Sequence, residues 1–286
     1  MVGIFIIVLI LLIIIIYQKS SYEVFTLTES DITVNSIILN LETNLKHLEP
    51  IPKNLFISWK NKNFYDSQNP LILNGIGNFK NINPDWRIHL YDDKEVDDYL
   101  QKNLKERDYK RIKTRKIVEK VDLWRLLIIY EKGGMYMDLD RFYNKDINKI
   151  IKNKKKMKMC LPTYKNMNFS QDIIISSPKN PIILSAINLN TKRRIKGSHN
   201  IVYLGPSTYM HALSKKIYGR QLLENPDIKI LSKIREALNK SPYTSTFIED
   251  PPNYTITFDK NDSWNKGNGE SKNDFYKESS VIHHSK

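Results

Sequence analysis

The stretch Ile117–Asp140, IVEKVDLWRLLIIYEKGGMYMDLD, constrains the fold more than any other part of this chain of 286 residues. Thr114 to Lys132 reads as a helix, because Ile117, Val121, Trp124 and Ile128 recur at helical spacing. Its last turns are apolar nearly all round, and such a helix has to be buried on every side. Gly133-Gly134 stops it as a C-cap pair. Met135 to Asp140 (MYMDLD) then reads as a strand. Side chains alternate along a strand, so Tyr136, Asp138 and Asp140 share one face and Met135, Met137 and Leu139 the other. A buried helix running straight into a strand implies a layered α/β sheet, in which ligands gather at the carboxyl ends of the strands.

Other segments fit that architecture. Ile51–Trp59 (IPKNLFISW) reads as a short buried strand entered through a proline. Asn83-Pro84-Asp85 is a turn, and Trp86–Tyr91 (WRIHLY) a second strand ending in Asp92-Asp93. Lys94 to Arg111 is charged with a sparse apolar stripe, which predicts an exposed helix. QDIIISSP at 171–178 reads as a strand with a turn, and Pro206 to Leu213 opens a helix after Gly205. The run KNKKKMK at 152–158 lacks interleaved aromatics, so it reads as a solvated loop rather than a nucleic-acid site. From Asp262 to Lys286 the chain is polar and irregular.

Val2 to Tyr17 (VGIFIIVLILLIIIIY) carries no charge, and Lys19 ends the run. At about 1.5 Å per residue it spans about 24 Å, the short end for a hydrocarbon core. The rival reading, a cleaved signal peptide, is disfavoured by an n-region without Lys or Arg and an exit without an A-x-A-like site. The expected organisation is a signal-anchor over 1–19, a stem over 20–49 with a helix near Ile37–Leu48, and a catalytic domain over 50–286. Lys19 alone weakly favours a cytoplasmic catalytic part. Sequons such as those at Asn168, Asn253 and Asn261 permit a luminal one. With so apolar a start, a mean hydropathy of −0.46 makes the remainder markedly polar. A single cysteine, Cys160, excludes an intramolecular disulfide framework and a Cys-cluster zinc site.

Asp138 and Asp140, two apart on one strand face, lie about 6.6–6.8 Å apart at Cα and can hold one hard divalent ion while leaving positions open for diphosphate oxygens. A lone D-x-D also fits two solvated carboxylates at a strand end, but here it directly follows a buried helix and an apolar strand, where a solvated face is unexpected. Asp122 and Arg125 are three apart on the preceding helix and share a face. Two readings stay open for them: an intrahelical ion pair that stabilises the fold, or a sugar-binding carboxylate beside a phosphate-facing guanidinium.

The order IPKNLFISW, NPDWRIHLYDD and KVDLWRLLIIYEKGGMYMDLD resembles the DXD-containing glycosyltransferases of family 32. These include the initiating alpha-1,6-mannosyltransferase of yeast outer chains and the inositol-phosphoceramide mannosyltransferases. The resemblance runs from about Ile51 to Leu213 and is strongest at Val121–Asp140. QDIIISSPKNP at 171–181 and LGP at 204–206 resemble weaker later blocks.

The resemblance implies a GT-A fold, that is, a Rossmann-like nucleotide-sugar-binding α/β fold. It also implies a GDP- or UDP-sugar donor, Mn2+ or Mg2+, transfer of a hexose of mannose or galactose type with retention, a glycan or glycolipid acceptor, and a Golgi or ER membrane location with a luminal catalytic part. By position, Trp59 would stack on the base, Asp122 and Arg125 would hold the donor sugar, and Tyr136 would line the donor site. Asp138 would contact the ribose or sugar and share the metal with Asp140. Trp59 also fits a core aromatic at a strand end. Family members commonly close the site with a histidine followed by Ser-Trp. Here His283-His284-Ser285 is followed by Lys286, while Ser263-Trp264 comes earlier. His283 is the candidate further metal ligand, against a frayed tail.

Two other function classes compete with this reading. Lys plus Arg number 45 against 31 Asp plus Glu, a formal +14, which suits a membrane-tethered polyanion or nucleic-acid binder. Such a binder concentrates its basic residues on one face with aromatics, whereas here they are spread along the chain, and no nucleic-acid partner is expected. A phosphatase of the haloacid-dehalogenase type would place Thr or Val two residues after the second aspartate, where this chain has Phe142.

Overall fold

Three short apolar strands set up the sheet: β1 (Asn54–Ser58), β2 (Arg87–Tyr91) and β3 (Gly134–Met137). They run parallel with β1 in the middle, Leu55 opposite both Ile88 and Met135. On the far side of β3 lies β5 (Ile173–Ser176), which runs antiparallel and places Ile175 opposite Met135. β4 (Met159–Thr163) pairs antiparallel with β5, and β6 (Thr244–Ile248) parallel with β4. The order is β2-β1-β3-β5-β4-β6, with β5 alone reversed. The computed structural model describes residues 33–59, 70–138, 146–152, 156–163, 171–192, 215 and 228–248. All but Thr33 belong to one compact unit, Val34–Lys286.

The described helices are α1 (Val34–Leu45), α2 (Pro70–Ile82), α3 (Asp93–Asn103), α4 (Glu106–Ile112), α5 (Ile117–Lys132), α6 (Ile147–Lys152), α7 (Pro181–Lys192) and α8 (Ile228–Lys240). Strand alternation assigns the two sheet faces. Leu55, Ile57, Met135, Met137, Ile173 and Ile175 join Phe79 of α2, Trp86 and Ile147 of α6 in one core layer. Phe79 and Trp86 meet edge to face at 6.3 Å. On the opposite face Tyr136 meets Trp124 of α5 at 5.9 Å. As its composition requires, α5 is enclosed: Leu123 through Ile129 are all buried, and the helix packs against β1, β3, β5, α3 and α7.

Two boundaries differ from the sequence expectation, and two expected segments lie outside the described residues. The charged stretch after β2 forms two helices, not one. Asp92 accepts from Glu95 N at 2.8 Å in a capping box that starts α3, and Leu104 turns extended to end it. The compact unit also begins at Val34 rather than Pro50. α1 buries Ile37, Leu41 and Leu45 at a spacing of four, against α8 and α7, so this part of the stem segment is built into the fold. Lastly, the segment expected to anchor the chain, residues 2–17, lies outside the described residues. Among the described residues no helix is long and apolar enough to cross a membrane. The helix expected at 206–213 likewise lies outside them.

The Gly133-Gly134 pair fixes the angle between α5 and β3. Gly133 N donates to Ile129 O at 2.9 Å, which closes the helix. Both glycines have positive φ, 63° and 110°. A Cβ on Gly133 would lie 2.6 Å from Pro178 Cδ, and one on Gly134 would lie 2.4 Å from Asn54 O in β1. The second clash is with backbone, so the β1–β3 pairing itself would have to open. Gly134→Ala is expected to cost about 3 kcal/mol or more, from strain and overpacking together, and to lower the Tm by about 10 °C. Gly77→Ala in α2 meets nothing within 4 Å and is expected to leave the Tm unchanged or slightly higher. Thermal melts of both variants check the contrast, and equal melting would refute it.

Candidate active site

Strand order reverses at β1: the chain goes from β1 to β2 on one side and then returns to β3 on the other. The carboxyl ends of β1 and β3 therefore open side by side, where α/β sheets bind ligands. Ser58 and Trp59 stand at the end of β1, and Asp138 follows β3. Helix α5 reaches the same edge by simple geometry. Counting back from Gly133 at about 1.5 Å per residue, Arg125 stands about 12 Å up the helix. Counting forward from Gly134 at about 3.3 Å per residue, Asp138 stands about 13 Å up the strand. The spacing of D-x-x-R and D-x-D across the glycine pair therefore brings their polar groups level.

They meet. Arg125 Nη2 lies 3.0 Å from Asp122 Oδ1 and 3.3 Å from Asp138 Oδ1. Arg125 Nη1 donates to the Gln171 carbonyl at 3.1 Å, and the guanidinium sits 4.7 Å above the Tyr136 ring. Tyr136 Oη donates to Asp138 Oδ1 at 2.5 Å, and Ser58 hydrogen-bonds the same tyrosine. Gln171 Nε2 donates to Asp122 Oδ1 at 2.8 Å. Asp138 N donates to Asp172 O at 2.8 Å, which continues the β3–β5 ladder one residue past the strand. Asp122 and Arg125 are 4% and 6% exposed, whereas the Asp138 side chain is 24% exposed and forms the open end of the network.

Burial sets the protonation states. It pushes the Asp122 carboxyl up to about 6, with Arg125 pulling back and Glu119 adding to the rise. Burial alone would lower the Arg125 pKa, but Asp138, then Tyr136 and Asp122, outweigh it and hold the guanidinium above its ordinary range. The Tyr136 hydroxyl is raised well above the usual tyrosine value, first by burial, so it stays a donor to Asp138.

Of the sequence-derived candidates, Asp122, Arg125, Tyr136 and Asp138 are brought together. Tyr136 is buried between Trp124 and Arg125, with its hydroxyl holding Asp138. Trp59 is half-buried at the end of β1 and packs against the core layer of Ile57 and Met137, while Asp122, Arg125 and Tyr136 lie on the other sheet face. Its backbone N donates to Tyr91 O at 3.0 Å. Asp140 and His283 lie outside the described residues. Gln171 and Asp172 complete the network and carried no role in the sequence reading. Their signal was a polar pair directly before the apolar run IIIS. Among the described residues no group of three or more His, Cys, Asp or Glu could hold a metal. The donor that the described part of the site offers is carboxylate oxygen at Asp138. Hard oxygen suits Mn2+ or Mg2+. The soft alternative, Cys160, is buried in β4 beside Ser245.

The family read from the sequence is supported by comparison. Residues 16–157 match the model for the glycosyltransferase sugar-binding region containing DXD motif. The chain is similar to inositol phosphoceramide mannosyltransferase 1 of Schizosaccharomyces pombe (strain 972 / ATCC 24843), at 25% identity over 169 residues, covering 58% of this chain. It spans 49% of that relative's length. Among solved structures, the PaToxG glycosyltransferase superposes with a TM-score of 0.45 and 20% identity, over 72% of this chain and 84% of that one.

The raised pKa of Asp122 has a stability consequence with a definite sign. Its folded value, about 6, lies above the ordinary 3.8, so the folded state disfavours the ionised form. This group's contribution is therefore most favourable below pH about 4 and is lost as pH rises through about 6. Asp122→Asn mimics the neutral acid. The Tm of the Asn variant minus that of the wild type is expected to climb between pH 4 and pH 7, measured by paired melts across that range. A difference that stays flat with pH would contradict the burial argument.

Proposed function

We propose that this chain, whose residues 16–157 match the DXD glycosyltransferase region, is a membrane-anchored, metal-dependent, retaining glycosyltransferase of GT-A type. Its donor would be a GDP- or UDP-hexose, with GDP-mannose favoured by the name of the similar mannosyltransferase. Its acceptor would be a glycan or glycolipid. One observation carries the reading: a buried Arg125 ties the D-x-x-R helix to the first aspartate of the D-x-D at the open carboxyl edge of the sheet.

The reaction breaks the bond between the sugar C1 and the diphosphate oxygen, which leaves with the electron pair. A new bond forms between C1 and the acceptor hydroxyl oxygen, and the hydroxyl proton passes to a diphosphate oxygen. Asp138 and Asp140 would hold Mn2+ or Mg2+, which when bound neutralises charge on the departing diphosphate. Arg125 adds fixed positive potential on the same edge and clamps Asp122 and Asp138 in place before the donor arrives. Those carboxylates accept hydrogen bonds from donor hydroxyls. Trp59, at the end of β1, is the candidate base contact, and His283 the candidate further metal ligand.

The anchor reading rests on the uncharged apolar run 2–17, and a luminal Golgi or ER location on the family resemblance and the sequons. Arg125→Gln is expected to impair melting as well as turnover, because it leaves two carboxylates beside a vacated buried cation site. The cleaner test is Asp140→Asn, assayed on the full chain with Mn2+ and GDP-mannose or UDP-galactose, following release of nucleoside diphosphate. It is expected to lose about a hundredfold or more of the turnover at unchanged Tm, and EDTA to abolish turnover in the wild type. Full activity in EDTA would remove the metal from the mechanism. Protease treatment of sealed vesicles is expected to spare the catalytic part. Cleavage from the cytoplasmic side would reverse the orientation.

A further inference from the structure

We infer that Gln171 is a specificity-determining residue that reads one hydroxyl of the donor sugar, its Oε1 accepting that hydroxyl's hydrogen. The inference rests on the transferase reading and goes further by giving a role to a residue that the sequence places only at the head of a weaker block. Gln171 stands two residues before Ile173, the first residue of β5, and is 3% exposed. The amide orientation is fixed chemically. Its partner at 2.8 Å is the Asp122 carboxylate, which at neutral pH can only accept, so the NH2 faces Asp122 and Oε1 faces away.

That leaves Oε1 buried with no donor. In the same network Arg125 Nε is buried with no acceptor, although Nη1 and Nη2 are both engaged. Four side-chain atoms among the described residues are orphaned in this way, and two belong to side chains that converge on Asp122 Oδ1. Buried polar atoms are paired almost without exception, so an acceptor left over at Oε1 calls for a donor. Phosphate or carboxylate oxygens have no proton to give Oε1. A sugar hydroxyl donates to it, as would an ordered water that the hydroxyl displaces. The orphaned acceptor thus fits a hydroxyl-bearing ligand at this end of the network rather than an anionic one.

A site built to hydrogen-bond a hydroxyl discriminates against an analogue that lacks it, because the buried group is then stranded. The experiment uses the full chain with Mn2+, the accepted donor of GDP-mannose and UDP-galactose, and analogues of that donor each lacking one sugar hydroxyl. Wild type, Gln171→Leu and Gln171→Met are compared by kcat/KM and by melting. The wild type is expected to disfavour one deoxy analogue by at least about tenfold. In Gln171→Leu, or in the near-isosteric Met variant where Leu folds poorly, that single ratio is expected to fall to within about twofold of unity while the ratios at the other hydroxyls persist. A merely structural role would lower turnover of every donor alike and leave all ratios intact, which overturns the inference while the transferase reading stands. A wild type that processes neither donor overturns the transferase reading itself.

Discussion

A guanidinium with 6% exposure has to be met by acceptors from every element around it, and the demand of Arg125 organises the carboxyl edge of this sheet. Its own helix supplies Asp122, the end of β3 supplies Asp138, and the segment entering β5 supplies the Gln171 carbonyl. Three chain segments are thus pinned to one cation. Breaking a buried pair by removing one partner typically costs about 3–5 kcal/mol, a large share of a domain's net stability. The same contacts hold Asp138 at the open end of the network with its acceptor geometry already set. Stability and preorganisation are here one interaction, and no reorganisation of the carboxylate is needed when a ligand arrives.

The neighbouring aromatics reinforce this arrangement. Trp124 and Tyr136 meet edge to face, and Tyr91 lies 5.0 Å from Trp124. They form an apolar wall that keeps the effective dielectric around Arg125 low, so each ion pair is stronger than it would be at the surface.

Sequence legibility followed the range of the interactions. The α5–Gly133-Gly134–β3 unit was readable because it is local: the all-apolar helix, the glycine stop and the alternating strand each leave a pattern within a few residues. The meeting of Asp122, Arg125, Tyr136 and Asp138 was partly readable for the same reason, since helix rise and strand rise fix their heights on either side of one turn. β4 and β6 left little local trace, whereas α8 carries a helical apolar pattern, with Ile234, Ala237 and Leu238 buried, that the sequence expectation did not use. MCLPT and TSTFI become strands because they pair with each other at the far edge of the sheet, Cys160 opposite Ser245. α7 did carry a signal, Pro181 at its first turn behind Asn180, whose Oδ1 accepts from Ile182 N at 2.9 Å. Gln171 and Asp172 reach the site only through the antiparallel pairing of β5 with β3, a contact across more than thirty residues that spacing alone does not encode.

Helix α1 moves the start of the compact unit upstream of the sequence expectation. Because Val34 already belongs to that unit, the apolar run ending at Tyr17 is separated from it in sequence by residues 18–33, half the length that a fold beginning at Pro50 would leave. Fully extended, sixteen residues reach at most about 55 Å. Were the apolar run to anchor the chain as proposed, that length would bound how far the carboxyl edge of the sheet could stand from the bilayer, and an acceptor headgroup within reach would be present at an effective concentration on the order of millimolar. A weak acceptor affinity would then suffice for membrane-borne substrates, while a soluble glycan would have to compete from bulk solution without that advantage.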